Sequence, residues 1–442
     1  MQLKMKTHIV NVCAIALLSG VFLPVHAQEN PIQPGERDVA QAMLKDVQDD
    51  LLANYYDPKY RDLDVKARFK EADDRIKKAT SLNQALGTIA WALEGLHDSH
   101  TSFIPPPRPF RLYYGWTMQM IGTQCYVTDV EPGSDAEKKG VKPGDLIEQI
   151  NRIVPTRETL WSLNYLLRIL RPQPGFELVV RSVSGEERTV GVAAKIEPSR
   201  RVVDIMSPVF WNEIRDSQSA LAVMQRRPAV LGHDLIVLKF PTFLLEEKGV
   251  DAMIGESRKY KVMVLDLRGN HGGSILALLR MLSGLFEGDT AVGEMRMRKK
   301  TEPQTAKSRG DKIFAGKLIV LVDAESASAA EVLAREVQLQ KRGLIIGDKT
   351  AGKVMEARAY PHHVGLDRIV YYASYISVAD WIMPDGKSLE DSGVTPDELM
   401  LPDGSDLANR RDPVLSHAIS LGGAQISAED AYKLFPHEWP AH

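Results

Sequence analysis

Beyond about residue 230 the chain alternates short, unbroken apolar runs with helical segments, and this pattern restricts the fold more than any other feature. The runs Leu235 to Phe240, Val262 to Leu267, Leu318 to Asp323 and Leu344 to Gly347 are too continuously apolar to keep one face in water. Strands buried on both faces belong to a mainly parallel sheet covered by helices, and helices are expected at Ile275 to Phe286 and Ala329 to Gln340. An α/β core of this kind gathers its chemistry at the carboxyl ends of the strands.

At 442 residues the chain has room for about three domains. Its 55 Lys plus Arg against 58 Asp plus Glu offer no global field for nucleic acid or an anionic membrane. Lys4 and Lys6 precede an apolar run from Ile9 to Val25 that ends Val25-His26-Ala27, the pattern of a secretory signal peptide over residues 1–27. The expectation is therefore export, to a bacterial periplasm, through a cleavable leader. Cys13 would leave with it, and Cys125 alone cannot form an intrachain disulfide.

Residues 28–110 read as a helical region, with Val39, Met43, Val47 and Leu51, then Leu86, Ile89, Leu93 and Leu96, at helical spacing. Pro105-Pro106-Pro107 and Pro109 close it. Residues 111–198 change to short alternating strands, the turn Glu131-Pro132-Gly133, a small helix, the run Gly144-Asp145-Leu146-Ile147, and a helix carrying Leu160, Leu163, Leu166, Leu167 and Leu170 on one face. In that order these features resemble a PDZ domain. The α/β core is expected over 199–400, and a helix from Pro413 to Leu421 with a polar tail over 401–442.

Three loops carry chemistry. Asp323-Ala324-Glu325-Ser326-Ala327-Ser328 runs from a strand into a helix, where Ser328 is either a helix cap with Glu331 or a nucleophile. Lys353, 25 residues later (353 − 328), could take the serine proton only if burial lowers its pKa from about 10.4 toward neutrality. Asp266-Leu267-Arg268-Gly269-Asn270-His271-Gly272-Gly273 offers backbone N–H groups to an oxyanion, or is a tight connection. Gly347 to Lys353 imitates a phosphate loop, but Val354 stands where Ser or Thr would bind magnesium and no helix pattern follows. His97 with His100, and His362 with His363, lack the carboxylate pattern of a zinc protease, so no metal and no cofactor is expected.

Together with Leu96-His97-Asp98-Ser99-His100-Thr101 and Gly393-Val394-Thr395-Pro396-Asp397, these loops resemble the carboxyl-terminal processing, or tail-specific, serine proteases. The resemblance implies a crotonase-like α/β protease core with an inserted PDZ domain. It implies Ser328 as nucleophile and Lys353 as general base, oxyanion donors from Gly272, Gly273 and the Ala329 amide, and support from Glu331 and Thr350. Substrates would be proteins or peptides with free carboxyl-terminal tails, held near Tyr114-Gly115-Trp116, and the resemblance leaves room for an activating adaptor protein and a homo-oligomer. Relatives carry a glutamine four residues after the lysine; here Ala357 stands there, and Glu356 would point to the opposite face of a strand. Ser99-His100 also resembles the tricorn-like proteases, in which His100 would be the base and Glu390 its acid. Lys353 ranks above His100 on the sequence, and a catalytically silent tail-binding protein is the reading from another class.

Overall fold

The structure is a computed structural model and describes residues 31–198, 228–365 and 369–439. The expected leader lies outside them. The chain enters through helices α1 (Pro34–Asn54), α2 (Val65–Lys77) and α3 (Leu82–Glu94). Asp64 and Ser81 cap the second and third by accepting the N–H groups of Ala67 and Gln84. Met43, Val47, Leu51, Leu86, Ile89 and Leu93 form one buried cluster, so the helical spacing translates into a packed face. Strand β1 (Ser102–Ile104) follows.

Strands β2 (Phe110–Tyr113) and β8 (Lys195–Pro198) pair as a two-stranded stem. Between them β3 (Trp116–Ile121), β4 (Gln124–Val130), β5 (Leu146–Ile150), β6 (Gly175–Arg181) and β7 (Glu187–Ala193) form an antiparallel sheet in chain order, with β3 on one edge. The short helix α4 (Asp135–Lys138) follows β4. Helix α5 (Leu160–Asn164) continues as a π-helical turn over Tyr165–Leu170. Leu163, Leu167 and Leu170 are buried, but Leu166 is 36% exposed, because the wider turn rotates it off the expected apolar face. Cys125 is buried and unpaired, and burial pushes its thiol up to about 12.

The core sheet contains β9 (Pro228–Leu231), β10 (Leu235–Lys239), β11 (Val262–Asp266), β14 (Lys317–Val322), β15 (Gly343–Gly347) and β18 (Glu398–Leu399). Its order is β18-β15-β14-β11-β10-β9, parallel except at the β9 edge. Alternate residues serve two cores: Ile236, Leu238, Met263, Leu265 and Val320 pack on one face, Leu235, Val237, Val264, Ile319 and Leu321 on the other. This double burial is why the runs show no polar alternation. Helices α6 (Glu247–Ser257), α7 (Ile275–Ser283) and α8 (Ala329–Leu339) cover the first face, and α10 (Pro413–Leu421), which follows the short α9 (Gly404–Ala408), covers the second.

Two features depart from the expectation. A second sheet, antiparallel, joins β1, β12 (Thr290–Met297), β13 (Thr301–Ala306), β16 (Met355–Val364) and β17 (Val370–Ile382). Its strand β16 contains Pro361, tolerated because among the described residues β16 pairs with β17 alone. The end of the chain is more than a polar tail: α11 (Ala428–Leu434) buries Ala431, and Leu434 and Phe435 pack on the second face of the core sheet.

Candidate active site

At the carboxyl ends of β11 and β14 two loops are laced together. Asp323 Oδ1 accepts the N–H groups of Gly269, Glu325 and Ser326, each at 3.0 Å. The Ser326 hydroxyl donates to the Leu267 carbonyl at 2.9 Å, and the Ala327 N–H to the Asn270 carbonyl at 2.8 Å. Ser328 is thereby held at φ 55° at the start of α8, a conformation costing a non-glycine residue about 1–3 kcal/mol. Gly272 lies against it. A Cβ on Gly272, at φ 87°, would sit 2.6 Å from the Ser328 Cβ, so this position admits only glycine.

The three expected oxyanion donors are not equivalent. The Gly272 N–H is turned away and donates to Asn270 Oδ1 at 2.8 Å. Gly273 is exposed, and among the described residues its N–H has no acceptor. Ala329 opens α8, so its N–H is one of the first-turn donors without an intrahelical acceptor. A small cavity of about 20 Å³ beside them is lined by Gly273, Ser328, Ala329, Val332, Met355 and Trp381, with Glu356 at it as well. A β-bulge between Glu356 and Ala357 accounts for that placement.

Glu331, fully buried on the first turn of α8, connects the serine to the lysine loop. Its carboxylate accepts the Ser328 N–H at 3.1 Å, the Thr350 hydroxyl at 2.5 Å, and the N–H groups of Gly352 and Lys353 at 2.7 and 2.8 Å. The Lys353 carbonyl in turn accepts the Ser328 N–H at 2.8 Å. Burial lowers the Lys353 pKa, against the opposing pull of Glu331, Glu390 and Glu325. Its amine lies 5.4 Å from the centre of the Trp161 ring, within cation–π reach. Glu356 is not among the carboxylates that act on it. Lys353 leads into strand β16, so the phosphate-loop pattern has no helix to open.

The Ser99-His100 loop reaches the same place. Asp98 fixes it by accepting the N–H groups of His100 and Thr101 and the Ser377 hydroxyl. Ser99 Oγ lies 2.6 Å from His100 Nδ1 and donates to Glu390 Oε2 at 3.0 Å, while the Ser99 N–H donates to Glu390 Oε1 at 2.9 Å. With the one hydroxyl proton given to the carboxylate, Ser99 Oγ must accept from Nδ1–H, which leaves the lone pair on Nε2. Burial, with the Lys353 charge, lowers His100 to about 4, so the imidazole is neutral at pH 7. Burial pushes the Glu390 carboxyl up to about 7. Neither Lys353 Nζ nor His100 is hydrogen-bonded to the Ser328 hydroxyl among the described residues. His362, by contrast, is committed elsewhere, bonded to Asp50 at 2.6 Å and stacked on Tyr372.

The β-rich unit docks on these loops. Gln119 donates to Asp323 at 2.6 Å, Arg157 bonds Asp348 and the Lys349 carbonyl, and the Gly122 N–H donates to Asp348 at 2.8 Å. Tyr114 and Trp116 are buried where β3 begins, and Gly115 between them has φ 68°. Sequence reasoning did not single out the bridging hydroxyl of Ser99, the anchor Asp98 or the Trp161 ring. Only the adjacency of Ser99 to His100 hinted at the first.

A serine held in a strained strand-to-helix turn and packed on Gly272 at the edge of a parallel sheet has the setting of a hydrolase-type α/β core. Residues 234–400 match Peptidase family S41, and this stretch is a family S41 peptidase domain. The chain is 27% identical over 318 residues to the "Tail-specific protease" of Haemophilus influenzae, covering 68% of this chain and 43% of that one. It is 26% identical over 350 residues to the "C-terminal processing peptidase, chloroplastic" of Tetradesmus obliquus, covering 72% and 68%. A "Probable CtpA-like serine protease" of Staphylococcus epidermidis is 25% identical, covering 64% and 52%. The chain spans about half the length of the first of these curated relatives. Among solved structures, mature CPAF complexed with lactacystin shares the fold with TM-score 0.63 at 14% identity, covering 90% of this chain and 99% of that one.

Proposed function

We propose that this chain is an exported serine peptidase that cleaves proteins or peptides near their carboxyl terminus, with Ser328 as nucleophile and no cofactor. The observation that carries the reading is the Ser328 turn itself: a strained serine packed on Gly272, beside a small cavity also lined by Gly273 and Ala329, whose N–H groups have no acceptor among the described residues and would serve an oxyanion. The β-rich unit acts as a PDZ domain, taking the tail as an added strand along the open edge of β3. Export rests on the leader pattern of residues 1–27.

For the base, the geometry favours His100 over Lys353. A neutral imidazole oriented through Ser99 by Glu390 has the tautomer a general base needs, whereas the Lys353 amine has a ring face in place of an orienting hydrogen-bond acceptor. Lys353 is the second reading, supported by its lowered pKa and its backbone bond to Ser328. Treatment with a serine-directed phosphonate tests the nucleophile. A single adduct on Ser328, absent from Ser328→Ala, is expected; no adduct on the folded protein would favour a silent tail-binding protein instead.

A further inference from the structure

The β-rich unit buries a cation that nothing in it neutralises. Arg168 stands on the π-helical turn with its guanidinium carbon 5.0 Å from the centre of the Tyr114 ring, 5.6 Å from Trp116 and 6.0 Å from Phe176. Among the described residues its Nε is buried without a hydrogen-bond partner, and so is Trp116 Nε1. No carboxylate acts on it among the described residues. Burial lowers its pKa, and among the described residues it is opposed by the Tyr114 phenol alone, which burial itself pushes up to about 12 and which is therefore uncharged. That hydroxyl is spent on the Gln173 carbonyl at 2.8 Å. Two buried donors in neighbouring side chains, one of them on a cation, thus go without an acceptor among the described residues, which native interiors avoid unless a ligand supplies one.

Their position says what the ligand is. Tyr114 and Trp116 flank the start of edge strand β3, so a peptide paired along β3 would end against them. We propose that Arg168, with Trp116 Nε1, receives the terminal α-carboxylate of the bound tail and so makes the protein select free carboxyl termini. The inference rests on the tail-directed reading above and adds the residue that enforces it. A carboxylate satisfies both orphaned donors, and the planar guanidinium can hold its two oxygens. A carboxamide brings no charge and fails at the same place.

The test uses the full chain as Ser328→Ala, so that bound peptide is not consumed. A fluorescent peptide with an apolar last residue is titrated as the free acid and as its carboxyl-terminal amide. The acid is expected to bind at least about tenfold more tightly, and Arg168→Met is expected to bring the two within about twofold. The methionine variant should melt no lower than its parent, because it removes an uncompensated buried charge; a residue with a purely structural role would melt lower. Arg168→Gln is expected to show the same collapse and decides the matter should the methionine variant not fold. If the acid preference survives loss of the arginine while wild-type protein still cleaves tails, the proposal falls and the peptidase reading stands. If wild-type protein neither binds nor cleaves either peptide, both fall.

Discussion

Glu331 and Arg168 are both charged side chains held inside the protein, and they are treated in opposite ways. Around Glu331 four donors converge on one carboxylate, so the Ser328 turn, the Thr350 loop and the lysine loop form one satisfied unit. Around Arg168 two buried donors have no acceptor among the described residues. The first arrangement is complete in the free protein and serves to position atoms. The second, on the reading proposed above, is completed by the bound tail, in the unit that would meet substrate first. On that reading, positioning and recognition are separated in space and distinguishable by whether their polar groups are already paired.

This contrast can be broken in several ways. The largest effect is expected at Glu331→Ala, which orphans three buried donors at about 1–3 kcal/mol each, a large share of a typical stability of about 5–15 kcal/mol, while the Ser328 N–H keeps its bond to the Lys353 carbonyl. Thermal unfolding should show a collapse of the transition or no folded protein, and a shift of only a degree or two would mean the network is dispensable. Gly272→Ala comes next. The added methyl meets Ser328 at 2.6 Å, and displacing a nucleophile by a fraction of an ångström to an ångström costs about a hundredfold in kcat/KM, measurable on protein that still folds.

A smaller effect follows from pH. Glu390 sits near 7, and it must be ionised to accept the Ser99 proton that keeps His100 in the right tautomer. Lowering the pH protonates it, so kcat/KM should rise from pH 6 to pH 8 by roughly tenfold and then level, with the His100 transition, near 4, falling outside this window. A limb displaced well above 8 would point to loss of a proton from Lys353 instead. Smallest is the stability change of Arg168→Met, a gain of about 1 kcal/mol by chemical denaturation, against the large loss at Glu331.

Much of the core was legible in the sequence, because strands buried on both faces leave unbroken apolar runs that tertiary context has little freedom to reinterpret. The second sheet was not. Strand β16 carries Pro361 and two adjacent histidines, so its pairing with β17 shows only when the strands meet. At the site, Ser328, Lys353 and the glycines could be named from local pattern and resemblance. The bond from Ser99 to Glu390 spans 291 residues, and no local spacing reports it. Gly272 was a reasonable candidate donor, yet its N–H is spent on Asn270, a detail of loop conformation that composition does not encode. Arg168 lies beside buried Leu167 and on the same turn as Leu170, where sequence periodicity registers the leucines and passes over the cation between them.

The central claim is that a hydrogen-bonded Ser99-His100-Glu390 chain, rather than the lysine, activates Ser328. It is tested most directly by kcat/KM of wild type, Ser328→Ala, His100→Ala and Lys353→Ala on a folded reporter bearing an unstructured apolar tail, with products read by intact mass and each variant checked for folding. The account predicts cleavage that starts at the tail and vanishes in Ser328→Ala and His100→Ala, with Lys353→Ala slowed but active. Full activity in His100→Ala together with silence in Lys353→Ala would contradict it and install the lysine as the base.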